Sequence, residues 1–124
     1  MTQIHIITAP DLLLNNNYKI LMVYPDDQIK TDFNKHVIQM DHDINLYLYE
    51  SADIKTDWLI QVANLVDGIL LNADRMKEDR WLLGYLLSLN HTYYFTADVN
   101  DPYVLLNKNR IFDCEPMFEL IKKK

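Results

Sequence analysis

Carboxylates recur where the apolar runs of this chain break off. Asp26 and Asp27 follow YKILMVYP, Glu50 and Asp53 follow INLYLY, Asp74, Glu78 and Asp79 follow GILLN, and Asp98 and Asp101 follow TYYFT. Paired carboxylates in such places can pass protons as general acid and base, or hold Mg²⁺ through oxygen ligands. Acids in loops also cap helices and keep a chain soluble. With 18 acids among 124 residues, that plainer role is the larger share. The densest case is VDGILLNADRMKEDRWLLGYLL, residues 67 to 88, whose polar loop carries three acids and two arginines.

Other chemistry is excluded by residue type. Phosphate-binding loops of the P-loop and dinucleotide kinds need glycines, so that backbone can approach phosphate. The only glycines, Gly68 and Gly84, lie outside such loops, and Gly84 falls in a helical pattern where it permits close packing. No G-x-S-x-G elbow is present. His5, His36, His42 and His91 lack zinc-ligand spacing, and DHD at 41 to 43 reads as a helix-ending loop. A single cysteine, Cys114, excludes an intramolecular disulfide or a cysteine-based metal cluster, and reads as a small, partly buried residue. We therefore expect no catalytic residue, metal or cofactor. Tyr47, Tyr49, Trp58, Trp81, Tyr85, Tyr93 and Tyr94 could stack on a base, but as a set they read mainly as core with hydroxyls at the rim.

The loops are positioned by alternating elements. QIHIITAP alternates and reads as a short strand ending at Pro10, and NNN then suits a turn. YKILMVYP and DGILLN are continuous apolar runs, as in strands covered on both faces. INLYLYE alternates as a strand, and TYYFT is a further one. Asp26 or Asp27 can cap a helix whose stripe is Ile29, Phe33, Val37 and Met40. Asp53, Thr56 or Asp57 can cap the next, lined by Trp58, Leu59, Val62, Ala63, Leu65 and Val66. A third helix runs from about Arg80 to Asn90, with leucines over more than one stripe. A short helix can follow Pro102, IFD reads as a short strand or extended approach, and Pro116 suits the first turn of a final helix. This order predicts one α/β domain over residues 1–124, with a mostly parallel sheet of about five strands between two helical layers. In such sheets ligands bind at the carboxyl ends of strands, where the strand order reverses.

Bulk composition narrows the partners. The net charge of −6 argues against general nucleic-acid binding, which needs a basic face. No apolar run approaches the roughly 20 residues of a membrane span. The start MTQIHIITAPD lacks the pattern of a signal peptide, so a soluble, cytoplasmic protein is expected. Abundant Asn and Lys would fit an AT-rich genome, such as that of a phage or its host.

From Asp57 onward the chain resembles the nucleoside 2-deoxyribosyltransferase-like superfamily. The likeness rests on WLIQVANLVDGILLN, a helix then an aspartate-led strand, and on DRWLLGYLLSLNHTYYF, with Gly84 and Tyr85 in place. The resemblance implies a flavodoxin-like fold. It also puts the family's nucleophilic glutamate at Leu82, which has no lone pair to attack with, and the family's early glycine motif is absent. Glycosyl transfer is therefore expected to be lost. The chain also resembles a response-regulator receiver domain in YKILMVYPDD, VDGILLNADRM, YYFTAD and CEPMFELIKK. There the phosphoacceptor falls on Asn72, the lysine on Glu115, the acid pair on Tyr24 and Pro25 or, slipped, on Asp26 and Asp27, and Thr96 is retained.

The expectation is a non-catalytic flavodoxin-like domain that binds a nucleoside or nucleotide ligand, or a protein partner. Its ligand-binding residues are Asp26, Asp27, Asn72, Asp74, Asp79 and Thr96. One alternative is a self-associating structural or assembly protein, of a phage for example. Another is an enzyme acting on N-glycosidic bonds through Asp74, Glu78 or Asp79.

Overall fold

The described residues form five short strands and four α-helices, which alternate from the second strand onward. The computed structural model describes residues 4–7, 17–40, 43–50, 56–76, 78–97 and 109–122. In chain order they hold β1 (Ile4–Ile7), β2 (Tyr18–Val23), α1 (Asp27–Val37), β3 (Ile44–Tyr49), α2 (Thr56–Leu65), β4 (Gly68–Asn72), α3 (Arg80–Leu87), β5 (Thr92–Phe95) and α4 (Glu115–Lys122). A 3₁₀ turn, Ala73–Arg75, follows β4.

The strands form one sheet in the order β1-β3-β2-β4-β5, and every pairing is parallel. An isolated parallel bridge from Tyr94 to Arg110 continues the sheet beyond β5. Counted from β2, the order is the 2-1-3-4-5 of flavodoxin-like folds, with the fifth position reduced to that bridge. β1 is an addition on the outer edge, beside β3.

Strand residues divide between two cores by simple alternation. Ile20, Met22, Ile44, Leu46 and Leu70 pack with Phe33 and Val37 of α1 and Met117, Phe118 and Ile121 of α4. Leu21, Val23, Tyr47, Tyr49, Ile69 and Leu71 pack with Trp58, Leu59 and Val62 of α2 and Leu82, Leu83 and Leu86 of α3. Helices on both faces explain why β2 and β4 tolerate no polar side along their inner residues. They also explain why INLYLY, although it alternates in sequence, has Ile44 through Tyr47 all buried. The polar member, Asn45, accepts a 3.0 Å hydrogen bond from the Asn17 side-chain amide. β4 enters the sheet through Asp67, whose carboxylate accepts from Lys19 N–H at 2.8 Å and whose own N–H donates to Lys19 O at 2.7 Å.

Several boundaries move from expectation. α1 stops at Val37 with Ile38 as its cap, and Met40 is buried just outside the helix. α3 stops at Leu87, three residues short of Asn90. Thr56 and Asp57 are the first residues of α2 itself. Trp81 is 56% exposed and so leaves the expected aromatic core, whereas Tyr47, Tyr49, Trp58 and Tyr94 are buried. Cys114 is fully rather than partly buried. Asp53, Asp98, Asp101, the first two asparagines of the expected turn at NNN and the short helix after Pro102 lie outside the described residues. Among the described residues, no helix is long and apolar enough to cross a membrane.

Candidate functional site: a cleft at the strand ends

β2 gives way after Val23 to Tyr24, whose φ of 48° is in the left-handed region that a bulky residue seldom adopts. Two contacts hold it there. Its N–H donates to Tyr49 O at 2.8 Å, and its ring meets the Tyr49 ring edge-on at 5.4 Å. The turn aims the chain into Pro25 and Asp26. Arg75 reaches across from the β4 loop and donates through Nη1 to Pro25 O at 2.9 Å. Asp26 then caps α1, its Oδ1 accepting from Ile29 N–H at 2.8 Å. Asp27 opens the first turn.

β4 ends at Asn72, which is 7% exposed. Its Oδ1 accepts from Asp74 N–H at 3.2 Å and so starts the 3₁₀ turn. Asp74 in turn reaches the end of β5. Its Oδ1 accepts from Thr96 Oγ1 at 2.6 Å and its Oδ2 from Ala97 N–H at 2.8 Å. Thr96 O accepts from Arg110 Nη2 at 3.0 Å, and the Arg110 guanidinium lies 4.8 Å over the ring of Phe112.

These ends surround a cleft of about 590 Å³. Asp26, Asp27, Asn72, Asp74 and Thr96, five of the six residues expected from sequence, line it together. Asp79 stands apart. It precedes α3, the helix packed on the opposite face from α1, and its side chain makes no capping hydrogen bond. Leu82 is 1% exposed in the α2/α3 core and is not in the lining. Glu115, at the start of α4, is exposed and also outside it.

Sequence reasoning missed the rest of the lining. Thr31, Asp32 and Lys35 follow Asp27 and Gln28 at helical spacing, so a capped α1 turns that face to the cleft. Phe95, Ile111 and Phe112 make the apolar wall. Asp32 also binds the two helices of this layer, its Oδ2 accepting from Cys114 N–H at 2.6 Å. His36 Nδ1 lies 2.9 Å from Asp32 O, so that nitrogen carries the proton, and its ring stacks on Phe118. Burial pushes the Cys114 thiol far up, helped by its hydrogen bond to Asp32. Burial raises the Tyr93 and Tyr94 phenols too, and Arg110 partly opposes this at Tyr94.

The lining is acidic: Asp26, Asp27, Asp32 and Asp74 face one cation, Lys35. Such a cleft repels anions and attracts neutral hydrogen-bond donors or cations. Among the described residues, no three His, Cys, Asp or Glu side chains converge to hold a metal ion. Comparison with protein-family models, characterised proteins and solved structures finds no match for this chain.

Proposed function

We propose that this protein is a cytoplasmic, non-catalytic binding domain whose cleft takes a small ligand of the nucleoside type. One observation carries the reading: Asp26, Asp27, Asn72, Asp74 and Thr96, from three separate strand ends, line one cleft at the carboxyl ends of the strands. Its volume of about 590 Å³ suits a ligand of that size. The cleft has an apolar aromatic wall and a polar rim, the arrangement that receives a flat ring bearing hydrogen-bonding groups. Its excess of carboxylates favours an uncharged nucleoside over a phosphorylated one. The acids also serve the scaffold: Asp74 ties β4 to β5, Asp26 caps α1, and Asp32 holds α4. That use supports binding rather than proton transfer. The leucine at position 82 supports it too, because it lies in a core and not beside the cleft.

A thermal-shift titration tests the reading. Adenosine, cytidine, inosine and uridine, their monophosphates and Mg²⁺ are added separately to the purified protein. A ligand bound only by the folded state at 100 times its Kd adds about 2.7 kcal/mol of stability. A saturable rise in Tm with one or more nucleosides, and none with the matching monophosphate, is the expected result. No rise with any nucleoside overturns it.

A second reading, self-association, is favoured by one observation. Ile38, Leu65, Trp81 and Phe112 are large apolar side chains that are 80, 52, 56 and 81% exposed. Sedimentation equilibrium decides it: a monomer at high concentration removes this reading and leaves the first intact.

A further inference from the structure

The lining of the cleft contains an amide donor without a protein partner among the described residues. Asn72 is 7% exposed and lines the cleft. Its Oδ1 is fixed by the hydrogen bond from Asp74 N–H, which settles the orientation of the amide. The other end of that amide, Nδ2, makes no hydrogen bond among the described residues. That donor is not sealed from solvent, since among the described residues the buried side-chain atoms without a hydrogen bond are Trp58 Nε1 and Arg110 Nε, so a ligand in the cleft can accept from it. Oδ1 has a second lone pair and can take one more donor. Asn72 therefore offers a donor beside an acceptor, in one plane, in the lining of the cleft.

The complementary ligand edge has a ring nitrogen acceptor beside an exocyclic amine. We infer that Asn72 is the specificity-determining residue of the cleft and selects amino-substituted heterocycles, such as adenine or cytosine nucleosides, over their oxo counterparts. The inference rests on the nucleoside reading above and deepens it. The ligand amine donates to Asn72 Oδ1, and the ring nitrogen accepts from Nδ2. The same pair of hydrogen bonds is how an asparagine reads adenine in nucleic acids. Phe112 supplies the flat apolar surface against which the ring stacks. The carboxylates of Asp26 and Asp27 at the rim favour a ligand rich in N–H and O–H donors. In the same pose an oxo heterocycle sets a carbonyl against Oδ1 and, where its ring nitrogen is protonated, an N–H against Nδ2, which is the kind of mismatch that a hydrogen-bonding site rejects most strongly.

Calorimetric titration of the unaltered protein with adenosine against inosine, and cytidine against uridine, is the test. The amino nucleoside of at least one pair is expected to bind about tenfold or more tightly than its oxo partner. Asn72→Asp keeps an acceptor for Asp74 N–H but removes the donor, and should abolish that preference. Phe112→Ala changes an exposed side chain and should weaken all binding about tenfold while keeping the preference. Equal affinity within each pair, or a folded Asn72→Asp protein that still discriminates, overturns the inference and leaves the nucleoside reading standing. If no nucleoside binds, both fall. If Asn72→Asp does not fold, the ligand pairs on the unaltered protein decide alone.

Discussion

Thr96 Oγ1 donates a 2.6 Å hydrogen bond to Asp74 Oδ1, and the adjacent Ala97 N–H occupies the other oxygen of the same carboxylate at 2.8 Å. One side chain thus joins the ends of two neighbouring strands and sets one wall of the cleft. Hydrogen bonds to a charged group contribute about 1.5–3 kcal/mol. Asp74→Ala should therefore lower stability by roughly that amount, and Asp74→Asn, which keeps one acceptor, by about 1 kcal/mol. Asp79 is the control. It makes no side-chain cap, and Asp79→Asn should stay within about 0.5 kcal/mol. Urea denaturation measures all three. An Asp74→Ala protein as stable as the parent would show that the tie contributes nothing.

Leu82→Glu places a carboxylate where the side chain is 1% exposed, among Leu83, Leu86 and the α2 residues. An uncompensated buried charge costs roughly 3–5 kcal/mol. The variant should unfold at markedly lower temperature and show no nucleoside cleavage, because the new acid points into a core. Product release from a nucleoside, followed by chromatography, would contradict the assignment of the site to the other face.

Gly68 lies under α4. A Cβ there would stand 2.9 Å from both Cγ and Sδ of Met117, which is fully buried. Gly68→Ala should cost about 1–3 kcal/mol by overpacking. Met117→Ala alone should also destabilise, by leaving a cavity. Combined, the two changes should cost less than their sum, since each relieves the other. Strict additivity in the double-mutant cycle would mean that the clash is absorbed elsewhere.

The alkaline limb of stability should be governed by groups whose protonated forms the fold favours. Cys114 is raised from an ordinary thiol value of 9.0 by burial, then by Asp32, and Tyr93 and Tyr94 are raised from 10.0 by burial. A raised pKa in the folded state means that the unfolded chain loses its proton first. Stability from these groups is complete below about pH 9 and declines as the pH rises beyond it. Tm measured from pH 7 to 11 should fall over that upper range, and Cys114→Ser should remove the earlier part of the fall. The same burial makes the thiol slow to react with a disulfide reagent at pH 8 until the protein unfolds.

The elements were legible because β2 and β4 have a composition that only a strand covered on both sides accepts, and because Ile29, Phe33 and Val37 keep helical spacing. The strand ends then marked the cleft through Asp26, Asp27, Asn72, Asp74 and Thr96. The rest depended on long-range geometry. Phe112 became visible only once the Arg110 bridge brought that segment beside β5. Asp32 looked like one more solvated helix acid, since its partner Cys114 N–H is 82 residues away in the chain. Asp79 shares a loop with Asp74, but the loop turns between them, so nearness in sequence did not become nearness in space. Trp81 has the hydropathy of a core residue, yet the leucines that follow it already fill the buried face of α3.

The outermost strand has a consequence for biosynthesis. β1 leaves the ribosome before the other described strands, yet among the described residues its strand neighbour is β3, where Ile4 lies beside Ile44. β2 must pass, α1 must cross over the sheet, and β3 must emerge before that edge exists. β1 is thus among the later strands to be placed, and until then its backbone groups stay open to other strands or to a chaperone. β2, β3 and β4 pair without β1, so the centre of the sheet can assemble while the leading strand waits.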